Sequence, residues 1–227
     1  MITHILFDLD NTLYASSNNM EKEIAQRMFH FIADFLSLPE EATHRLHRAE
    51  RKQYGTTLEW LEAKYGFTDR ERYFAAIHPP SETTGLKPDP NLRGFLESLH
   101  MPMTVLTNAP LVHAHRVLDF FGVRDMFDGI FDITYHNGKG KPHADCYLRT
   151  LEAIGARVEE TLFIDDCPDY VSGYMQLGGA ALLVDEQNRH TALCIEQHIR
   201  SIHSIYELPA VLKEQNTEAP IPRSSIE

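Results

Sequence analysis

The segment Asp8-Leu9-Asp10-Asn11-Thr12 sets two carboxylates two residues apart, directly after the short apolar run Ile5-Leu6-Phe7. In extended backbone alternate side chains share a side, so Asp8 and Asp10 point together while Leu9 turns into packing. Two acids held that close resist full ionisation unless a cation joins them or one keeps a proton. The pair therefore predicts a metal, a shared proton, or both. Three further polar groups follow apolar runs or open helix-like segments. Thr107 and Asn108 come after Thr104-Val105-Leu106, Lys141 stands before Pro142, and Asp165-Asp166 come after Leu162-Phe163-Ile164. On one edge of a parallel sheet they would set a hydroxyl, a cation and two more carboxylates around Asp8 and Asp10. Four carboxylates are too many for binding an anion directly. They suit a hard, oxygen-seeking Mg²⁺ that in turn accepts a phosphate oxygen, with Lys141 offsetting the remaining charge. The inventory fits phosphoryl transfer.

Each piece alone has a plainer reading. Asp-x-Asp-x-Thr occurs in ordinary turns, Thr107 could be a helix cap, Lys141 a helix-start lysine, and Asp165-Asp166 a solvated turn before Pro168. Their order along the chain favours a site. His113 and His115, on an expected helix, read as packing or surface residues. Trp60, Leu61 and Tyr65 read as core of a helical block, and Cys167 as packing, because no basic partner is apparent for a thiolate. Tyr14, Asn18, Asn19 and Met20 could line a pocket or form a plain linker.

The elements that must position these groups follow from periodicity. After the strand at Ile5–Phe7, apolar residues at helical spacing mark a helix over 20–36, with Asn18 or Asn19 as its cap. Further helices are expected over 39–54, 57–65 and from a Thr68 cap to about His78. No strand pattern interrupts this block of roughly seventy residues, far more than a βα crossover needs, so it is expected to be an inserted cap. The segment 78–90, rich in Pro and turn formers, is the expected return hinge. A βα rhythm resumes beyond it, with helices at 91–99, 111–121, 144–154 and 170–177 and strands at 103–106, 129–134, 161–164 and 180–184. Alternating units imply an α/β fold with a doubly wound parallel sheet. The expected division is a core domain of residues 1–14 and 89–213, a helical cap domain of 15–88 and a loosely ordered tail of 214–227.

Composition narrows the partners. The 227 residues carry 33 acids against 21 Lys and Arg, a formal charge of −12, which argues against a nucleic-acid polymer as partner. A small anionic substrate stays compatible, because a local cation inverts the local field. Cys146, Cys167 and Cys194 show no paired metal-ligand spacing and cannot form a complete disulfide set, as expected of reduced thiols in a cytoplasmic protein. No apolar run reaches membrane-spanning length and the N-terminus lacks a secretory pattern, so no membrane association is expected. A monomer or small homo-oligomer is expected.

In order and type, these groups resemble the four motifs of the haloacid dehalogenase-like (HAD) phosphohydrolase superfamily, over most of residues 4 to 185. Phe7-Asp8-Leu9-Asp10-Asn11-Thr12-Leu13-Tyr14 is similar to the first motif, Leu106-Thr107-Asn108-Ala109 to the second, Lys141-Pro142 to the third and Phe163-Ile164-Asp165-Asp166 to the fourth. Asp10-Asn11-Thr12-Leu13-Tyr14, Thr107-Asn108-Ala109, His113-Ala114, Arg116-Val117-Leu118 and Phe127-Asp128-Gly129-Ile130 resemble the pyrimidine 5′-nucleotidase group within it. The resemblance implies a Rossmann-like core with a helical cap inserted after the first strand. It implies Asp8 as nucleophile, Asp10 as general acid and base, and Thr107 with the Asn108 amide as holders of phosphate oxygens. Lys141 would stabilise the charge on Asp8 and the phosphoryl group. Mg²⁺ would be held by Asp8, the Asp10 carbonyl and Asp166, with Asp165 direct or through water. Tyr170 departs from the pattern, since many relatives place Asp or Asn there.

The activity so implied is Mg²⁺-dependent hydrolysis of a small phosphorylated metabolite, a pyrimidine nucleoside 5′-monophosphate first. Phosphoglycolate, sugar phosphates and sugar phosphomutase chemistry are the nearest alternatives. A dehalogenase of the superfamily usually lacks the second acid, so Asp10 counts against it. A receiver-type signalling module would carry its acid pair on the first strand and its acceptor later, the reverse of the order here, and a silent phosphate-binding protein has little use for intact acids.

Overall fold

Four consecutive buried residues, His4–Phe7, make strand β1. Their side chains divide between the two faces of the sheet: Ile5 and Phe7 join one apolar cluster and Leu6 the other. A strand covered on both faces reads as an unbroken apolar run, as this one does. The computed structural model describes residues 1–16 and 19–217.

Helices α1 (Met20–Leu36), α2 (Glu40–Glu50), α3 (Thr57–Tyr65) and α4 (Arg70–Ile77) follow β1, and α5 (Leu92–Ser98) leads into β2 (Met103–Leu106). Then come α6 (Leu111–Phe121), β3 (Gly129–Phe131), α7 (Ala144–Ile154), β4 (Thr161–Asp165), α8 (Pro168–Met175) and β5 (Ala180–Val184). The described chain closes with α9 (Thr191–Gln197), β6 (Ser201–Ile202) and α10 (Leu208–Thr217). The six strands form one sheet in the order β3-β2-β1-β4-β5-β6, every neighbouring pair parallel. This is the Rossmann-like doubly wound order, and its winding reverses between β1 and β4. The carboxyl ends of β1, β2 and β4 therefore meet at one crevice.

Helices α1 to α4 build an apolar centre of their own. Phe31, Ile32, Trp60, Leu61, Phe67 and Tyr73 are buried together, and Ile133, from the loop after β3, is buried among them. The Trp60 indole and the Tyr65 hydroxyl both donate to Glu50, at 3.1 and 3.0 Å, which satisfies the polar edges of two packed rings. Thr56 caps α3 by accepting from Glu59 N at 3.0 Å.

Several boundaries differ from the sequence expectation, each for a local reason. Helix α2 stops at Glu50 and passes into a 3₁₀ turn at Arg51–Gln53, short of 54. Asp69, not Thr68, caps α4, accepting from Arg72 N at 3.0 Å. Helix α8 starts two residues early because Pro168 takes its first turn, where a missing N–H costs nothing. Strand β3 ends at Phe131, before 134. Asn19 sits at the N-cap of α1 without a side-chain capping bond, and Asn18 lies outside the described residues. Helix α9, the two-residue β6 and α10 had no counterpart in the reading of the sequence. Helix α10 runs to Thr217, into the segment expected to be loose, and 218–227 lie outside the described residues.

Candidate active site

Asp8 follows β1 without a break, its N–H donating to Ile164 O at 2.8 Å as if the sheet continued. The chain then turns sharply: Asn11 adopts a left-handed φ of 58° and Leu13 N closes the turn on Leu9 O at 3.0 Å. Asn and Asp are the non-glycine residues that tolerate that region best. The turn places the Thr12 hydroxyl 3.4 Å from Asp8 Oδ2.

Lys141 enters from the loop before α7 with its side chain 1% exposed, and its Nζ lies 2.5 Å from both Asp8 Oδ1 and Asp165 Oδ2. Asn108 holds the loop in place. Its amide donates to Lys141 O at 2.9 Å and its carbonyl accepts from Lys141 N at 2.8 Å, a closed pair of bonds between side chain and backbone. Gly140 permits this approach, for a Cβ there would stand 2.0 Å from Asn108 Oδ1. The Asn108 side chain is thus committed to Lys141, which leaves its backbone amide for a ligand. Thr107, 1% exposed at the end of β2, accepts from Ala109 N at 3.0 Å, which fixes the turn that follows.

Asp165 is fully buried, with Oδ2 on Lys141 and Oδ1 accepting from Cys167 N at 2.8 Å. Asp166 is half-buried and accepts from the Asn11 amide at 3.3 Å. Carboxylate oxygens of Asp8, Asp165 and Asp166 lie within 4.8 Å of one another. Burial, then the neighbouring acids, pushes the carboxyl of Asp166 well above its usual range. Burial also raises Asp8, to about 7, against the pull of Lys141. Lys141 is driven upward in turn: burial opposes its charge, but Asp165 and Asp8 outweigh that. Three carboxylates facing one ammonium form an all-oxygen donor set with excess negative charge, which fits a hard divalent cation such as Mg²⁺. Asp8, Asp165 and Asp166 would hold it, with both oxygens of Asp165 also engaged by Lys141 and a backbone amide.

Asp10 is placed otherwise. Its Oδ1 accepts from the Tyr14 hydroxyl and lies 2.8 Å from His113 Nε2. Burial raises the Asp10 carboxyl, but the charge and hydrogen bond of His113, with help from Tyr14, outweigh it and hold the acid below its usual range. Burial likewise opposes the His113 charge, and Asp10 and then Glu82 overcome it, lifting the imidazole to about 10. His113 is completely buried, as a packing residue would be, but each ring nitrogen meets a carboxylate, which the reading did not include; His115 is half-buried. Glu82, within the expected hinge, was not singled out by sequence reasoning. The only signal available was a lone acid within the Pro, Ser, Thr and Gly run of 79–85.

The crevice between these carboxyl ends and the helical insertion is a cavity of about 520 Å³. Asp8, Asp10, Asp166, Thr107, Asn108 and Lys141 line it from the sheet half, and Ile24, Met28, Leu58, Phe74 and Ile77 from the insertion. Tyr14 is on its wall, whereas Met20 is buried in the sheet-side core. Trp60 is buried in the insertion, as expected. Cys167 lines the cavity beside the acids, but burial pushes its thiol up to about 12, which leaves it without nucleophilic character. Tyr170 lies under Lys141, ring centre 5.2 Å from Nζ, and its hydroxyl donates to Gly55 O of the insertion at 3.3 Å.

Known proteins resemble this chain in sequence and fold. The chain is 29% identical over 132 residues to Phosphate metabolism protein 8 of Saccharomyces cerevisiae, 55% of this chain but only 41% of the yeast protein. It is 27% identical over 179 residues to the glyceraldehyde 3-phosphate phosphatase of Methanocaldococcus jannaschii, 74% of this chain and 78% of that one. Among solved structures, a HAD phosphatase from Thermococcus onnurineus superposes with a TM-score of 0.63 at 18% identity, over 93% of this chain and 98% of that one. A model of the haloacid dehalogenase-like hydrolases matches residues 2–173, and with that share of the chain aligned the protein belongs to the haloacid dehalogenase-like hydrolase family.

Proposed function

We propose that the protein is a Mg²⁺-dependent phosphomonoester hydrolase that works through a phosphorylated Asp8, with pyrimidine nucleoside 5′-monophosphates as its substrates. One observation carries the reading: Asp8 and Lys141 are locked together in the wall of a cavity that is also lined by apolar side chains of the insertion. Residues 1–14 and 89–213 would form the catalytic core and 15–88 a cap that selects the leaving group. A cavity of about 520 Å³ suits a nucleoside-sized group and not a polymer strand.

An Asp8 carboxylate oxygen attacks phosphorus as the ester oxygen departs, and Asp10, ionised in the free protein and carrying a proton taken up with the substrate, gives that oxygen this proton. Asp10, now ionised, takes a proton from water. The water oxygen attacks the phosphorus of the acyl phosphate and frees Asp8 with inorganic phosphate. Lys141 balances the charge on Asp8 and the phosphoryl oxygens, while the Thr107 hydroxyl and Asn108 amide hold those oxygens in line. A bound Mg²⁺ would add Lewis-acid neutralisation of the phosphoryl group. The apolar wall would bind the base and use that energy to orient the phosphate.

Phosphate release under identical Mg²⁺ tests the proposal, with UMP, CMP, AMP, ribose 5-phosphate, phosphoglycolate, β-glucose 1-phosphate and a prenyl phosphate compared by kcat/KM. UMP and CMP should lead. Ribose 5-phosphate equal to UMP would remove the nucleotidase reading and leave a broader phosphatase. Preference for the prenyl ester would assign the apolar wall to a hydrocarbon chain, and glucose 6-phosphate as product would indicate a mutase. No release from any ester would end the phosphatase reading itself.

A further inference from the structure

Behind Asp10 runs a buried line of charged groups that the steps above leave unused. Glu82 begins a 3₁₀ turn, Glu82–Gly85, on the connection that returns from the insertion to the core. Its side chain is wholly buried. Oε2 lies 2.8 Å from His78 Nδ1 and 2.7 Å from His113 Nδ1, and Oε1 accepts from Arg116 Nη1 at 3.0 Å. The far side of the His113 ring reaches the site, with Nε2 2.8 Å from Asp10 Oδ1.

His78, Glu82 and His113 also have the spacing of metal ligands. Arg116 argues against a cation there, because its guanidinium already occupies the carboxylate that a metal would need. Both ring nitrogens of His113 are engaged as well. An ionised carboxylate only accepts, so a ring with a carboxylate oxygen on each nitrogen donates from both. The line is a hydrogen-bonded clamp that ends on Asp10, with His78 also on the cavity wall.

The geometry at the Asp10 end is one-sided. Tyr14 and His113 both bond to Oδ1 of Asp10, whose side chain is 29% exposed on the cavity side. Oδ2 is the oxygen left to face a substrate. Without the clamp the carboxyl group could turn about its last torsion, a soft one, and present either oxygen in many directions. Sequestering several charges also carries a desolvation cost that apolar residues would not incur. A purely structural role explains the burial but not why the line ends on this carboxylate.

We infer that His113, held by Glu82, is a positioning residue for proton transfer: it fixes Asp10 through Oδ1 so that Oδ2 meets the departing oxygen and later the attacking water. This rests on the reading of Asp10 as the acid and base. Orientation of this kind acts on the step that needs a proton and leaves unaided the departure of a group that needs none.

The experiment compares two esters in the same Mg²⁺ buffer, p-nitrophenyl phosphate, whose phenolate leaves unprotonated, and benzyl phosphate, whose alkoxide does not. kcat/KM is the quantity to read, because it covers events up to phosphorylation of Asp8 and is unaffected by slow hydrolysis of the acyl phosphate. For His113→Asn, benzyl phosphate should fall about 100-fold and p-nitrophenyl phosphate less than about fivefold. Glu82→Gln should show the same selectivity at smaller size, and Asp10→Asn the same at larger size. The ratio of the two esters within one sample is independent of the fraction folded. Should His113→Asn fail to accumulate, His113→Gln, closer in volume, gives the same ratio. Equal losses on both esters in the His113 variants, with selective loss kept in Asp10→Asn, would overturn the inference and leave Asp10 as the acid. A non-selective Asp10→Asn would overturn the reading of Asp10 and this inference with it.

Discussion

Lys141 makes the site's central ion pairs from a position closed to water, so its removal does more than delete a charge. Lys141→Met would leave Asp8 and Asp165 buried without a counter-ion. Losing one partner of a buried pair costs about 3–5 kcal/mol, and thermal unfolding of the metal-free variant should show a loss of that order. Added Mg²⁺ should restore part of it, because a cation replaces the missing charge; a variant as stable as the parent without metal would contradict the pairing. Asp8→Asn differs in kind. It keeps the shape, removes the attacking charge, and should fold normally while turnover drops by about three orders of magnitude or more. Near-normal phosphate release would exclude Asp8 as nucleophile.

At the scale of elements, the site depends on how closely two loops approach. Gly140→Ala would drive a Cβ against the Asn108 amide and open the clip on the Lys141 backbone. Overpacking of that kind costs about 1–3 kcal/mol, and kcat/KM should fall by about tenfold or more as Lys141 leaves its position. Unchanged kinetics would show that Lys141 is held by its ion pairs alone. Most of the elements were legible because they advertise a period: the sheet strands β1, β2, β4 and β5 are apolar runs, and α1 and α6 carry apolar residues at helical spacing. The acids, Thr107, Asn108 and Lys141 were legible because each stands at a strand end or a turn whose place the winding dictates. His113 was not, since its partners Asp10 and Glu82 lie 103 and 31 residues away and no local pattern connects them. Glu82 was hidden in a Pro-rich connection. β6 was hidden by having two residues, too few to show alternation.

For the molecule as a whole, the acid cluster links stability to pH and metal. In the folded, metal-free chain burial holds the Asp8 carboxyl up at about 7, above the 3.8 of an unburied one. Between those values the folded state holds protons that the unfolded chain has released, so the site's contribution to stability falls as pH rises through that window. Mg²⁺ competes with those protons. The rise in Tm on adding Mg²⁺ should therefore be larger at about pH 8 than at about pH 5. A rise that is equal at both, or greater in acid, would place the metal elsewhere. Ile133 adds a second property of the whole. It belongs by sequence to the sheet half, its N–H donates to Ala109 O at 3.3 Å beside the turn at Thr107 and Asn108, and its side chain is 1% exposed within the insertion. Any swing of the helices away from the sheet has to withdraw that side chain into water. Full burial of an Ile contributes about 1.5–3 kcal/mol, and about 1.4 kcal/mol is a tenfold change in an equilibrium. Ile133 thus acts as an apolar pin that, beside the Tyr170–Gly55 and His143–Glu59 bonds, ties the insertion to the sheet half, and Ile133→Ala should raise KM while leaving the acids in place.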